Sequence, residues 1–284
     1  MHKFVFHNDS LLPLEEVRLS PGQSGLLSGW GIFTTVRVYD GCPFALERHW
    51  KRLSRDACRI ELPFDFDLPM VRFKLDQLLG ANRVGEGCAR LYFVNNRIGI
   101  WASSESMPAT DMVIYSIDRP VRVGPTKLGV MEYGRYAAHP LAGTKVTSWL
   151  ENVWTLEQAH HRGFEDNLLL NERGEVSECT AANIYCVRDG AVYTPPLSSG
   201  CLAGVTREIL MEIAPGNGTT ITEKTLTLDE LYQAEEVFIT STTREVQPVA
   251  RLGERDLAVP FGPITARLGE VFSKYVQEYI AYKQ

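Results

Sequence analysis

Strand and helix periodicities alternate along almost the whole of this 284-residue chain and lapse clearly at one place. From Asp118 to Pro125 the sequence reads Asp-Arg-Pro-Val-Arg-Val-Gly-Pro, where prolines and a glycine interrupt any run. The order of the signals reads as an α+β fold. The lapse divides it into a small N-terminal α+β domain (1–118), an interdomain linker (119–125) and a C-terminal domain of mixed strands and helices (126–284). The length suits two domains of ordinary size.

Within the first part, Thr34 to Val38 and Phe44 to Leu46 flank Asp40-Gly41, a hairpin signal. A helix follows, with Trp50, Leu53, Ala57 and Ile60 on one face. A second helix is predicted from Pro69, a residue tolerated in a first helical turn. Cys88 to Val94 and Met112 to Ile117 read as strands. Beyond the linker, a helix over Ser148 to His161 stops at Gly163. Strands are predicted at Asn167 to Asn171, Asn183 to Val187, Ala191 to Thr194 and Glu236 to Thr240. Helices are predicted from Val205 and from Pro263.

Charge and composition narrow the function classes. The hydrophobic share of 44% and net charge of −6 describe an ordinary folded protein without the basic stripe of a nucleic-acid binder. No apolar run approaches the roughly 18 residues of a membrane span. Met1-His2-Lys3-Phe4 carries no signal-peptide pattern. The six cysteines form no CxxC pair and have no histidine at metal-ligand spacing, so reduced thiols, no metal and a cytoplasmic location are expected.

Three segments carry candidate chemistry. Lys145 follows the glycine-bearing turn Ala142-Gly143-Thr144 and precedes a helix. Alone it reads as a solvated surface lysine, but a partly desolvated lysine becomes a nucleophile. Glu178 lies in Gly174-Glu175-Val176-Ser177-Glu178-Cys179-Thr180-Ala181-Ala182-Asn183, among small residues that let a flat ring approach. Alone it is a strand-end carboxylate. The third set could bind phosphate: Arg52, three residues after His49 on one helix side, Ala203-Gly204-Val205-Thr206 at a helix start, and Ser241-Thr242-Thr243 at a strand end. Each also has a plain reading as a surface arginine, a cap or a polar turn.

In combination these segments resemble the class IV aminotransferase family, the fold-type IV pyridoxal 5′-phosphate (PLP) enzymes. The likeness runs from Gly25 to Glu278. It covers Phe33-Thr34-Thr35, His49-x-x-Arg52-Leu53, Lys145, Glu178 with Asn183, Thr194-Pro195-Pro196-Leu197, Leu202-x-Gly204-Val205-Thr206 and Ala234-Glu235-Glu236-Val237-Phe238. The resemblance implies a two-domain fold like that of D-amino-acid aminotransferase and a homodimer with PLP between its domains. It implies that Lys145 carries PLP as a Schiff base and shuttles the proton, and that Glu178 faces the pyridine nitrogen. It places Arg52, Asn183, Leu202, Gly204, Val205, Thr206, Ser241 and Thr242 around the cofactor.

The substrate implied is a small molecule with amine and carboxylate groups. Gly31 to Val38, Asp56-Ala57-Cys58, Glu178 to Asn183 and Leu141 to Lys145 are most similar to 4-amino-4-deoxychorismate lyase, which eliminates pyruvate to give 4-aminobenzoate. That activity is the first expectation, with Thr35 assisting proton handling. Thr240 to Val249 and Ser198 to Leu202 are more similar to the aminotransferases, so transfer between a branched-chain or D-amino acid and a 2-oxo acid is the alternative. A PLP-binding protein without catalysis is the remote third. Trp149 stands where branched-chain aminotransferases usually carry a tyrosine, and an indole can donate but not accept. Phe33, Trp149 and Thr243 are expected to line the substrate, and loops around Trp30, Trp101 and His139 to shape its side-chain preference. Arg37 or Arg90 is expected to meet a substrate carboxylate, with Arg97 a further cation on the same wall.

Overall fold

Asp40 and Gly41 both adopt positive φ, 47° and 74°, and turn the chain between β3 (Gly31–Tyr39) and β4 (Cys42–Pro43). Such a two-residue turn matches the natural twist of paired strands. The computed structural model describes residues 1–20, 22–96, 109–120, 122 and 124–283; Arg97 and Trp101 lie outside them. The chain forms two units. One comprises Met1–Pro120, Thr144–Trp149 and Tyr279–Gln284, the other Val121–Gly143 and Leu150–Glu278. The division after Pro120 falls inside the expected linker, but Lys145 belongs to the first unit and not to the contiguous C-terminal domain expected for it.

The first unit has one antiparallel sheet. Besides β3 and β4 it contains β1 (Phe4–His7), β2 (Ser10–Pro13), β5 (Gly87–Asn95) and β6 (Thr110–Ile117), in the order β2-β1-β6-β5-β3-β4. Helices α1 (Ser24–Ser28), α2 (Leu46–Arg59) and α3 (Leu68–Asn82) complete it. Leu46, expected in the hairpin, instead begins α2, because the chain turns out of the sheet at Ala45 with φ 52°. Leu53 of α2 and Leu75 and Leu78 of α3 pack with Ile32, Leu91 and Ile114 of the sheet into one core. Strand alternation sends the intervening residues to the other face. Arg90, Tyr92 and Val94 of β5 are therefore half-buried while Ala89, Leu91 and Phe93 are closed off.

The second unit carries β7 (Thr126–Met131), β8 (Asp166–Leu170), β9 (Val176–Cys179), β10 (Asn183–Arg188), β11 (Ala191–Thr194), β12 (Ile221–Glu223), β13 (Glu236–Ser241), β14 (Glu245–Leu252) and β15 (Arg255–Asp256). Their order is β12-β11-β10-β13-β14-β7-β8-β9, with β15 against β14. The pairs β7–β8, β7–β14 and β11–β12 are parallel. The helices are α4 (Leu150–His161), α5 (Val205–Ile213), α6 (Leu228–Tyr232) and α7 (Pro263–Lys283), the last ending among the first unit's residues. Leu168, Val176, Ile184, Ile239 and Val249 centre this unit's core. No helix among the described residues is long and apolar enough to cross a membrane.

Candidate active site

In the first unit the site begins on the buried face of α2. His49, Arg52 and Asp56 recur there at helical spacing beside Leu53 and Ala57, and all five are buried. The Arg52 guanidinium donates to Thr34 Oγ1 at 2.9 Å, and the same oxygen lies 2.8 Å from His49 Nδ1. Arginine cannot accept, so the simplest proton arrangement has the Thr34 hydroxyl donate to a bare Nδ1, leaving the histidine proton on Nε2. Burial, and then the cations of Arg52 and Lys145, push the His49 pKa well below its ordinary value. His49 is thus a neutral group inside a cationic corner.

Lys145 sits on a segment laid against β3. Phe33 N–H donates to the Lys145 carbonyl at 3.1 Å and Thr147 N–H to the Gly31 carbonyl at 2.9 Å, forming an antiparallel bridge between Ile32 and Val146. The Thr147 hydroxyl adds a bond to the Gly29 carbonyl at 2.8 Å. Gly29 permits the approach: it has φ 65°, and a Cβ there would lie 2.6 Å from Ser148 Cα. The Lys145 amide donates to Asp56 Oδ2 at 3.1 Å. Its Nζ stands 4.5 Å from the Phe33 ring centre and 5.7 Å from that of Trp149.

Phe33 belongs to a row of rings across the half-buried face of the sheet. It stacks on Tyr92 at 5.2 Å, and Tyr92 on Tyr115 at 5.7 Å. Trp149 meets Phe33 edge-on at 5.8 Å. One step along the strands, Thr35 lies opposite Arg90, and Arg90 opposite Tyr115. Arg90 Nη1 reaches the Tyr115 hydroxyl at 3.5 Å, and that hydroxyl reaches Tyr92 at 3.4 Å. Burial, with the neighbouring Tyr115, pushes the Tyr92 phenol up to about 12.

Arg37 requires a correction. Its side chain is only 1% exposed, and its Nη1 and Nη2 donate to the Val38 carbonyl at 2.5 Å, the Gly87 carbonyl at 2.6 Å and the Glu86 carboxylate. Those bonds join the ends of β3 and β5, and the cation expected to meet a substrate is spent on them.

In the second unit Glu178 is buried on β9, with its two oxygens held apart. Oε1 accepts from Arg135 Nε and Oε2 from the Leu202 amide, both at 3.0 Å. The Leu202 carbonyl accepts from Asn183 Nδ2 at 2.8 Å, so two predicted site residues grip both polar groups of a third. Gly204 follows as the N-cap of α5; a Cβ on it would lie 2.2 Å from Asn183 Oδ1. A glycine cap has no side chain to offer, so the amides of Val205 and Thr206 keep the anion-binding character of a helix start. Ser241 ends β13 and accepts from the Arg244 amide at 3.2 Å, with Thr243 Oγ1 3.5 Å away; Thr242 and Thr243 form the turn.

Four residues important to this arrangement carry no role in the sequence reading. Arg135 lies in the aperiodic run before Lys145, where no local signal distinguishes it. Asp56 is named in sequence only within the lyase-like segment Asp56-Ala57-Cys58, with no role of its own. Asp166 and Arg244 form a buried pair at 3.0 Å behind the Ser241–Thr243 turn, and Arg244 also donates to Gln247 at 2.7 Å. Burial raises the Asp166 carboxyl, opposed by the arginine. These two residues are 78 positions apart, beyond any local pattern. Among the described residues no cluster of histidine, cysteine or acidic groups is placed to hold a metal ion.

Each unit thus carries groups suited to a planar, anionic ligand. The first has a lysine beside aromatic rings, and the second a buried carboxylate with fixed oxygens and a glycine-capped helix start. Comparison with known proteins gives the class. The family model described as amino-transferase class IV matches residues 31–252. A D-alanine aminotransferase of Staphylococcus haemolyticus is 30% identical over 96% of this chain and 98% of its own. An aminodeoxychorismate lyase of Bacillus subtilis is 26% identical over 98% of this chain and 97% of its own. A branched-chain aminotransferase from the thermophilic archaeon Thermoproteus uzoniensis, solved with norvaline, superposes with a TM-score of 0.88 at 27% identity, covering 98% of this chain and 96% of that one. The protein belongs to the class IV aminotransferase family and is a PLP-dependent enzyme of that class.

Proposed function

We propose that the protein is an aminotransferase that moves an amino group between an amino acid and a 2-oxo acid. The carrying observation is the way Lys145 is held, with its amide and carbonyl both bonded and its amine against the rings of Phe33 and Trp149. Each unit's donors suit parts of the cofactor: in the first, Arg52 suits a phosphate; in the second, Glu178 suits a protonated ring nitrogen, and Thr242 and the amides of Val205 and Thr206 suit a phosphate. When bound, PLP supplies the carbonyl that takes up the amine and the ring that accepts electrons.

The chain's residues do the rest. Lys145 would hold the cofactor through its amine and, once displaced by the substrate amine, would take up the proton from the substrate's aminated carbon. Acid–base help of this kind gives roughly 10²–10⁴-fold in rate. Glu178, held by Arg135 and Leu202, keeps the ring nitrogen protonated. Arg90 orients a substrate carboxylate, and Phe33, Trp149 and Thr243 line the substrate.

Amino-group transfer is favoured over the lyase reading because Arg37 is withdrawn. Aminodeoxychorismate carries two carboxylates, whereas of the two described candidate arginines only Arg90 shares the sheet face with Phe33 without being tied to backbone carbonyls. The lyase remains the second reading on one observation: Thr35 lies opposite Arg90 and two residues from Phe33, on the same strand face. Replacing Thr35 by Gly would then lower elimination far more than cofactor binding.

A homodimer is part of the proposal. Leu150, Val153 and Trp154 sit at helical spacing on α4 and are 78%, 45% and 56% exposed, an apolar stripe suited to a second copy.

The deciding experiment measures the loaded enzyme with paired substrates. Formation of a new amino acid from D- or branched-chain amino acids with a 2-oxo acid, absent in Lys145→Ala, is expected. Pyruvate release from aminodeoxychorismate without amino-acid formation would replace this reading with the lyase. A wild-type protein that binds no visible chromophore after PLP addition would overturn both.

A further inference from the structure

We propose that Asp56 is a positioning residue for Lys145, fixing the backbone from which the reactive amine projects. The inference rests on the reading of Lys145 as the cofactor-bearing lysine. It starts from the bridge between Ile32 and Val146, which uses the Lys145 carbonyl and the Thr147 amide and leaves the Lys145 amide outside the ladder. That amide turns instead to α2 and donates to Asp56 Oδ2 at 3.1 Å. Lys145 is thereby gripped on both sides of its Cα by two different elements, β3 through Phe33 and α2 through Asp56.

The other half of the carboxylate is anchored too. Asp56 Oδ1 accepts from Arg55 Nε at 3.0 Å and Nη2 at 2.7 Å, while Asp56 itself is 1% exposed. Burying a carboxylate is costly unless its oxygens are bonded, and here both are. The arginine fork holds the group in one orientation, and the second oxygen then has a single direction in which to point. A neutral serine or an alanine would fill the helix face at lower desolvation cost. A charged acceptor makes the amide bond stronger than a neutral one would, at an ordinary length of 3.1 Å. Asp56 also stands four residues after Arg52 on the same buried helix face. One rigid element therefore presents a candidate phosphate binder and the lysine's anchor in fixed relation.

Rotation about the Lys145 backbone would move Nζ through several ångströms, since the side chain is a long lever. A loosened backbone therefore weakens bond formation to the lysine more than it weakens binding of the ring and phosphate. Two ligands separate these effects. PLP can bond to the amine; pyridoxine 5′-phosphate has the same ring and phosphate with an alcohol in place of the aldehyde, and cannot. Equilibrium binding of both is to be measured on the full-length wild type, Asp56→Ala, Asp56→Asn and Lys145→Ala.

Asp56→Ala is expected to weaken PLP about tenfold, the scale of losing a hydrogen bond to a charged group, and to leave pyridoxine 5′-phosphate within about twofold. Asp56→Asn should recover most of the loss, because its carbonyl can still accept the Lys145 amide. Retained pyridoxine 5′-phosphate binding reports a folded site in each variant. Equal weakening of both ligands, or undiminished PLP binding in Asp56→Ala, would overturn the proposal. Lys145→Ala should abolish the preference for PLP. If it does not, the reading of Lys145 fails, and it does so separately from Asp56.

Discussion

The Thr34 hydroxyl joins a cation to a neutral ring within a closed interior, and removing it has a directional consequence. Thr34→Val keeps the branched shape but leaves Arg52 and His49 without their shared oxygen. Binding of PLP should weaken by about tenfold, as for a lost charge-assisted bond, while binding of pyridoxal, which lacks the phosphate, should hold. Titration of both ligands checks this; equal losses would deny Arg52 a phosphate role. His49 adds a pH dependence. Its pKa is lowered in the folded protein, so the unfolded chain takes up its proton first as pH falls. Stability from this group is complete above the unfolded value near 6.5 and is lost as pH drops from there toward the folded pKa, by up to about 1.4 kcal/mol per pH unit. Urea unfolding at pH 7 and pH 5 should show a smaller pH penalty in His49→Gln than in the wild type. Candidate residues stand out in sequence where chemistry and local position coincide: Lys145 after its turn, Arg52 on a helix face, Glu178 among small neighbours. Arg37 misleads because a strand arginine looks the same in sequence whether it faces a ligand or ties two strand ends together. Only the carbonyls of Val38 and Gly87 distinguish the two cases.

Among the elements, α5 is the most constrained at its start. Gly204→Ala would drive a methyl group to within 2.2 Å of Asn183 Oδ1 and displace the side chain that holds Leu202. Overpacking of this kind costs about 1–3 kcal/mol, and a thermal melt should register it together with weaker PLP binding. By contrast, Asp67 caps α3 by accepting from Met70 N–H at 2.7 Å on an exposed surface, with no part in the site. Asp67→Ala should cost about 1 kcal/mol of stability and leave activity unchanged. The elements that sequence reads well are those with local punctuation: the Asp40-Gly41 turn, the proline near the start of α3, the glycine after α4. Strands β7, β12 and β14 are absent from the sequence reading. β7 owes its place to parallel partners 38 to 124 positions distant in the chain, and long-range pairing leaves little trace in a local window.

At the scale of the whole molecule, the outward stripe of α4 predicts an oligomer that one charge can disturb. Trp154→Glu should shift the protein from dimer to monomer in light scattering, with its secondary structure intact; a wild type that is monomeric at micromolar concentration would remove the dimer from the proposal. The two-part division is visible in the broken periodicity near Pro120, but the assignment of Lys145 is not, because nothing local says that residues 144–149 leave one unit for the other. That excursion bears on how genes of this kind can be recombined. A chimera joined near residue 120 would inherit α2 from one parent and the lysine segment from the other. Its two halves could each fold and still disagree at a single hydrogen bond. Breakpoints that carry residues 144–149 along with the N-terminal parent should yield active hybrids where a simple exchange of halves does not.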